Sequence, residues 1–490
     1  MASQLNVDTI VAETAASVTV NDALVVAEGI TVTASGITVT SGGITVTAGG
    51  LTVTAGGLTV TAGTATFNDN VVLGSSAADA ITVPGTIASN VIFTDATYDI
   101  GAAAATRPRD LHLSRSAVIG TSIELGHATD TTLTREAAGV LQVEGNTILT
   151  DAMGRQNALI NGDFSVAQRG TTFTAATTPA NSDDTYLLDR WTVLSDGNDI
   201  VDVSQNTSVV PTNGLYSCLL DVETANKKFG IIQFIEQKNC KGYLGSTCTL
   251  SFKARYATGA TVQTMRAVIL AWDGTADSVT SDVVSAWGAS GTNPTYVANW
   301  TAENTAADLT LTTSFQTFSV SAAIDTASAK NIAIFLYYNN ADGTVGDFIY
   351  VTDVQLEAGS IATEFERRTV QEELALCQRY LPALSVSAGS EGLASGQAIS
   401  TTIASVFYKF QTRARTKATG ITVSAASNFS VTDVGGTLFA TSVGLVFGQG
   451  HVDGCVITCT VAAAALVAGN ATLFYANDAA ATILFTGCEL

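Results

Sequence analysis

Three histidines, His112, His127 and His451, fall in three separate regions of the chain. No spacing among them suits a shared metal or a proton relay. There is no HExxH pair and no GxSxG nucleophile elbow. Seven cysteines, Cys218, Cys240, Cys248, Cys377, Cys455, Cys459 and Cys488, are an odd number without a CxxC pair. That argues against a zinc knuckle or a disulfide scaffold and for buried thiols that act as small apolar residues. Cys455 and Cys459, four apart in a strand-like run, share one face. Asp183 and Glu236 can be drawn as the acid and base of a glycosidase, yet among 43 acidic residues such a pair can be drawn almost anywhere. The chain reads as a non-enzyme with no catalytic constellation.

The elements that would position any site follow from composition. Charged residues are 13% of the 490, against about 25% in ordinary domains. Ala, Thr, Gly, Val and Ser fill the difference, a bias toward β-branched strands joined by small-residue turns. The net charge is −21, and no Lys or Arg occurs from Met1 to Thr106, so a phosphate backbone has little to dock on there and nucleic acid is not an expected partner. The longest apolar run, Val461–Ala468, is far shorter than the ~20 residues of a spanning helix, so membrane insertion is not expected either. Met-Ala-Ser-Gln-Leu-Asn has neither the basic start nor the apolar core of a signal peptide. The expectation is a protein made in a cytoplasm that, if it acts outside, leaves by lysis or assembly rather than by secretion.

The repeat is the strongest signal. Gly29-Ile-Thr-Val-Thr-Ala-Ser35 is followed in register by units beginning at Gly36, Gly43, Gly50 and Gly57. A period of seven suggests a coiled coil, but each unit carries one or two glycines and two threonines, and each glycine costs a helix roughly 1 kcal/mol against alanine. Within a unit the order is apolar, Thr, apolar, Thr, the period of a half-buried strand; the glycines after it supply a turn. A four-residue strand cannot bury its apolar face alone. Three chains wound into a triangular prism can, with Ile30, Val32, Ile37, Val39, Ile44, Val46, Leu51, Val53, Leu58 and Val60 on the axis and Thr facing water. A disordered linker is the alternative, and it has no reason to keep an apolar face in phase.

Strand-and-turn texture continues through Asn70–Val83 to Leu149. It contains Tyr98-Asp-Ile-Gly101, Arg107-Pro-Arg-Asp-Leu-His-Leu-Ser-Arg115 and Ala117-Val-Ile-Gly120. This passage resembles the shaft repeats of phage tail fibres, and Leu5-Asn-Val-Asp-Thr-Ile10 resembles their N-terminal segment. The resemblance implies a homotrimer attached to other virion structural proteins through its N-terminus.

Near Asp151 the composition shifts, and Trp, Tyr, Lys and Arg appear. Expected strands are Cys248–Tyr256, Met265–Leu270, Phe315–Val320, Asn331–Tyr338 and Phe348–Leu356, an antiparallel sandwich. Asn157-Ala-Leu-Ile-Asn161-Gly-Asp-Phe-Ser165, Thr249-Leu-Ser-Phe-Lys-Ala-Arg-Tyr256 and Val351-Thr-Asp-Val-Gln-Leu-Glu-Ala-Gly359 resemble strands of carbohydrate-binding jelly rolls. That resemblance implies a structural calcium between the terminal strands, with Asp163 and Asp353 as ligands. Relatives carry Glu where this chain has Ser165, and ordinary strand-end aspartates are the alternative. All four tryptophans lie here. Trp191 reads as core. Trp287, Trp300 and Trp272 are candidates for glycan stacking, the first two because they sit among Gly, Ser and Asn.

The run from Glu364 to Leu381 reads as a helix: Thr369 with Glu372 forms a capping box, and Pro382 stops it. Val370, Leu374, Cys377 and Leu381 share a face, which can meet its copies on a threefold axis or pack on its own jelly roll. Phe365-Glu-Arg-Arg368 with Cys377-Gln-Arg-Tyr380 resembles the same join in phage tail fibres. Beyond it, strands are expected at Thr402–Phe410, Gly420–Val423, Gly444–Val446, Val456–Val461, Ala471–Tyr475 and Thr482–Phe485. The resulting expectation is an all-β trimeric fibre. Its parts are an attachment segment (1–28), a β shaft (29–150), a jelly roll (151–368), a helix (369–382) and a terminal β tip (383–490). Its role is adsorption to a host-surface glycan or protein receptor, from a tail or a head, with no cofactor beyond the implied calcium. A depolymerase tailspike and a bacterial adhesin are the competing readings; the short repeat and the missing signal peptide count against them.

Overall fold

A computed structural model describes residues 157–433 and 440–490 throughout, short stretches between 26 and 71, and four backbone strands between Ser122 and Ile148. The expected attachment segment (apart from Val26), most of the texture over Asn70–Val83 and the Tyr98–Gly120 passage lie outside the described residues. The chain divides into two units, Met1–Ala117 and Val118–Leu490.

In the first unit the described repeat residues are assigned to no helix or strand. Ile30, Ile37, Ile44, Leu51 and Leu58 are 62–71% exposed, and Val32, Val39, Val46, Val53 and Val60 are 44–51% exposed. A single copy thus provides no cover for the repeat's apolar face.

The second unit opens with an antiparallel meander of Ser122–Leu125, Thr131–Ala137, Val140–Val143 and Asn146–Ile148. The sandwich follows. One sheet has seven strands. Its main order is Trp300–Ala302, Thr264–Trp272, Asn331–Tyr338, Phe229–Ile235, Thr192–Ser195, Thr185–Tyr186, and Leu309–Thr310 also pairs with Thr264–Trp272. The other has six: Gln316–Ala323, Thr247–Tyr256, Phe348–Ala358, Ser217–Val222, Val201–Asn206, Thr172–Phe173. Every pairing in both is antiparallel. Between them lies an apolar core that includes Phe164, Trp191, Leu250, Phe252, Ile269, Ile334, Val351 and Leu356. Thr247–Tyr256 shows why: Leu250, Phe252 and Ala254 point inward, while Lys253 and Arg255 keep solvent contact.

The helix is shorter than its sequence pattern, Val370–Gln378. The Thr369–Glu372 capping box is formed in both directions. Leu374, Leu376, Cys377 and Tyr380 pack on Ile160 and Val166 of the sandwich, while Val370 is 72% exposed. Of the two docking choices left open by sequence, this unit uses its own jelly roll.

The last part is a closed six-stranded barrel, Glu391–Ala398, Ile403–Lys409, Gly454–Val461, Ala440–His451, Phe429–Asp433, Ala471–Ala476, with a small sheet of Ala383–Ser385, Thr482–Thr486 and Gly420–Val423 beside it. Cys455, Cys459 and Ile457 alternate into its core. All seven cysteines are free and buried, and burial raises the Cys455 thiol pKa to about 12, far from a ligand thiolate. The all-β fold class is as expected.

Candidate functional site

The two ends of the sandwich cross. The segment after Asn157 lies along Phe348–Ala358: Ala158 N donates to Leu356 O at 2.9 Å, and Val354 N donates to Gly162 O at 2.9 Å. A Cβ at Gly162 would stand 2.1 Å from Val354 O, so only glycine permits the crossing. Opposite it, the pairing of Phe348–Ala358 with Thr247–Tyr256 slips, from Ser251 facing Gln355 to Lys253 facing Thr352. The extra residue makes a β-bulge, a local feature common beside functional sites. Asp353 sits in it with a left-handed φ of 51°. Val354 and Leu356 still enter the core, and the Asp353 carboxylate is left to meet Lys253.

Asp353 is 3% exposed. Lys253 Nζ donates to its Oδ2 at 2.8 Å, and Arg367 Nη2 donates to Oδ1 and Oδ2 at 3.1 and 3.2 Å. Arg367 Nη1 also lies 4.0 Å from Asp163 Oδ2, and its guanidinium is 5.4 Å from the Phe365 ring. Lys253, Asp353, Phe365 and Arg367 wall a pocket of about 420 Å³ together with Thr212, Asn213, Ser251 and Thr317. That volume falls within the range of small-ligand sites. Lys253 and Arg367 reach the pocket with side chains 32% and 40% exposed. Amide, hydroxyl and charged donors beside the Phe365 ring suit a ligand rich in hydroxyl groups.

Asp163 and Asp353, the two expected calcium ligands, both face the Arg367 guanidinium. Their surroundings do not fit the ion. Calcium takes 6–8 oxygens at about 2.3–2.6 Å, whereas Asp353 already accepts from two side-chain cations and Asp163 faces one of them. Among the described residues, no group of three or more His, Cys, Asp or Glu could hold a metal.

The tryptophan expectation needs correction. Trp272 and Trp300 are 4% and 5% exposed, and their rings lie 5.2 Å apart. Each indole N–H is used internally, Trp272 toward Thr275 O and Trp300 toward Thr280 O. Neither offers a sugar an open face. The chain between Trp272 and Trp300 folds back over the outer face of the seven-stranded sheet, where Leu194, Ile232, Phe234, Leu270, Phe335 and both tryptophans form a second apolar cluster. Trp287 is half-buried on that cluster, its ring 6.0 Å from Phe335. Sequence carried a signal for this: Ile332-Ala-Ile-Phe-Leu-Tyr-Tyr338 is apolar without alternation, the mark of a strand covered on both faces. Trp191 is core, as read, and donates to Asn161 O at 2.9 Å.

The Phe365–Tyr380 join is a clamp. Arg368 Nη1 donates to Leu159 O at 2.8 Å, and the same guanidinium pairs with Glu373 at 3.4 Å. Burial raises the Glu373 carboxyl pKa. Arg379 Nη2 donates to both oxygens of Glu236 at 2.8 Å, and Tyr380 Oη donates to one of them at 3.1 Å. Glu236 is therefore a structural anchor. Asp183 caps a different turn, accepting from Ser195 N at 2.7 Å, so the drawn glycosidase pair has separate structural duties.

The sequence matches no protein-family model, and no curated protein matches it. Among solved structures, 41% of the chain resembles part of the enzymatically active domain of bacteriophage CBA120 tailspike protein 4, at 17% identity and a TM-score of 0.26. That match spans 21% of the tailspike chain. A xylan-binding CBM22-1 domain from Paenibacillus barcinonensis matches over 37% of this chain and 94% of its own, at 11% identity and a TM-score of 0.23. A family 61 carbohydrate-binding module in complex with β-1,4-galactotriose matches over 42% and 100%, at 13% identity and 0.24.

Proposed function

We propose that the chain is a trimeric fibre subunit of a virus particle that recognises a cell-surface glycan without cleaving it. The observation that carries the assembly is the repeat, whose five in-phase Ile or Leu and five in-phase Val residues are 44–71% exposed in one copy. Such a periodic apolar face calls for cover, and two further copies of the same seven-residue unit supply it. The N-terminus would join other virion proteins, and the sandwich would meet the host. In this reading glycan recognition belongs to the solvent-open pocket around Lys253, Asn213, Thr317 and Phe365, since Trp272 and Trp300 are buried and Trp287 is half-buried.

Full-length protein in a sedimentation experiment should run at three times the chain mass; a stable monomer sinks the fibre reading. Thr317 is an exposed wall of the pocket, so Thr317→Trp should lower binding to extracted host polysaccharide at least several-fold with an unchanged melting temperature. Unaltered binding would move recognition away from this pocket, to the barrel for instance. Release of reducing sugar ends by wild-type protein would replace binding by depolymerisation.

A further inference from the structure

We propose that the Lys253 ammonium and the Arg367 guanidinium replace a structural calcium, so that this sandwich joins its terminal strands through an internal ion-pair cluster and needs no metal. The cluster has the parts of a metal site with the charge carriers changed. Asp353 comes from the last sandwich strand, Asp163 from the segment that crosses it, and Lys253 from the neighbouring strand. Arg367 follows the last strand and faces both carboxylates, 3.1 Å from Asp353 Oδ1 and 4.0 Å from Asp163 Oδ2. A nearly inaccessible carboxylate such as Asp353 must be paired to stay charged. Two single positive charges supply what one divalent ion would, from fixed positions. Lys253 Nζ lies 2.8 Å from Asp353 Oδ2, and calcium bound to that oxygen would lie against the ammonium, with like charges opposed at short range. The bulge is what allows this, since it sets Asp353 beside Lys253 without disturbing the core alternation.

The inference is independent of glycan binding and is tested on the full-length protein by melting in EDTA and in millimolar calcium chloride. The readout is the part of any calcium response that Asp353→Asn removes. Wild type should show none; a saturable rise in wild-type melting temperature that Asp353→Asn abolishes overturns the proposal. Lys253→Met and Arg367→Met each delete one cation and keep both carboxylates. Each should melt below wild type in EDTA, and the double variant Lys253→Met/Arg367→Met, which leaves neither cation on Asp353, should recover by a few degrees, saturably, with calcium, as a ligand that binds only the folded state must produce. If the double variant does not respond, replacement of the metal by these cations is wrong. Lys253→Gln/Arg367→Gln carries this arm should the methionine variant not fold.

Discussion

The repeat and the sandwich strand Val201–Asn206 both alternate aliphatic with polar residues and end in opposite states. Ile44 and Val46 are 70% and 49% exposed, whereas Val201 and Val203 are 0% and 2% exposed. The difference lies in what covers the apolar face. In the sandwich, a second sheet from the same chain lies across the core at the usual spacing of about 10 Å. In the repeat, a four-residue strand followed by glycine leaves no room for such a partner within the unit. Alternation therefore reports which face seeks cover, and chain length between turns decides whether the cover is internal. At about 25 cal/mol per Å², ten half-exposed aliphatic side chains are a substantial driving force for association.

The sharpest way to break this comparison is to place charge on the face that only association would bury. Val46→Asp or Val53→Asp would put an unpaired carboxylate from every copy on a common axis, at a cost of several kcal/mol each. Sedimentation should show assembly lost. Thr45→Asp and Thr52→Asp, on the opposite face, should assemble as wild type. Equal effects on both faces would show that the repeat has no inside.

The same contrast sets the next effect within the sandwich. Trp300→Ala should cost about 3–5 kcal/mol in denaturant unfolding, the usual range for emptying a large buried aromatic site. Trp287→Ala, half-buried, should cost roughly 1 kcal/mol. Glycan affinity of the folded fraction should be unchanged in both. A selective loss of affinity with stability intact would restore the tryptophans as a stacking surface.

Much of the strand map was legible because alternation is local. Asn331–Tyr338 and Gly420–Val423 begin and end where expected, and the Thr369–Glu372 cap is where its spacing placed it. Glu391–Ala398 was missed, and its glycines explain why. A Cβ at Gly396 would stand 2.0 Å from Ser405 O, so this glycine, a poor strand former by type, is required by close strand approach. The site was legible only in part. Asp163 and Asp353 could be named through a motif resemblance, but their partner Lys253 lies 100 residues from Asp353. Its contact depends on a one-residue register slip that no local pattern announces. The burial of Trp272 and Trp300 depends likewise on where an intervening segment folds back.

The smallest effect concerns the outer face of the six-stranded sheet, where Asp202 and Asp221 stand directly opposite each other. Desolvation, then Glu223 and further acidic neighbours, raises both carboxyl pKa values to about 6. A carboxylate with a raised folded-state pKa opposes folding when charged. The penalty is fully present above about pH 6 and falls as protons bind between there and the ordinary value near 3.8. Asp221→Asn should remove the like-charge contact while sparing Asp202, which accepts from Asn181 Nδ2 at 2.7 Å. Solvent screening keeps the gain small, about 0.2–1 kcal/mol as for other directly opposed cross-strand pairs. The variant should therefore melt slightly above wild type at pH 7.5, and the two curves should converge by about pH 4. A gap that widens on acidification would mean that these carboxylates stabilise the sheet in their charged form, through a cation that the protein binds there.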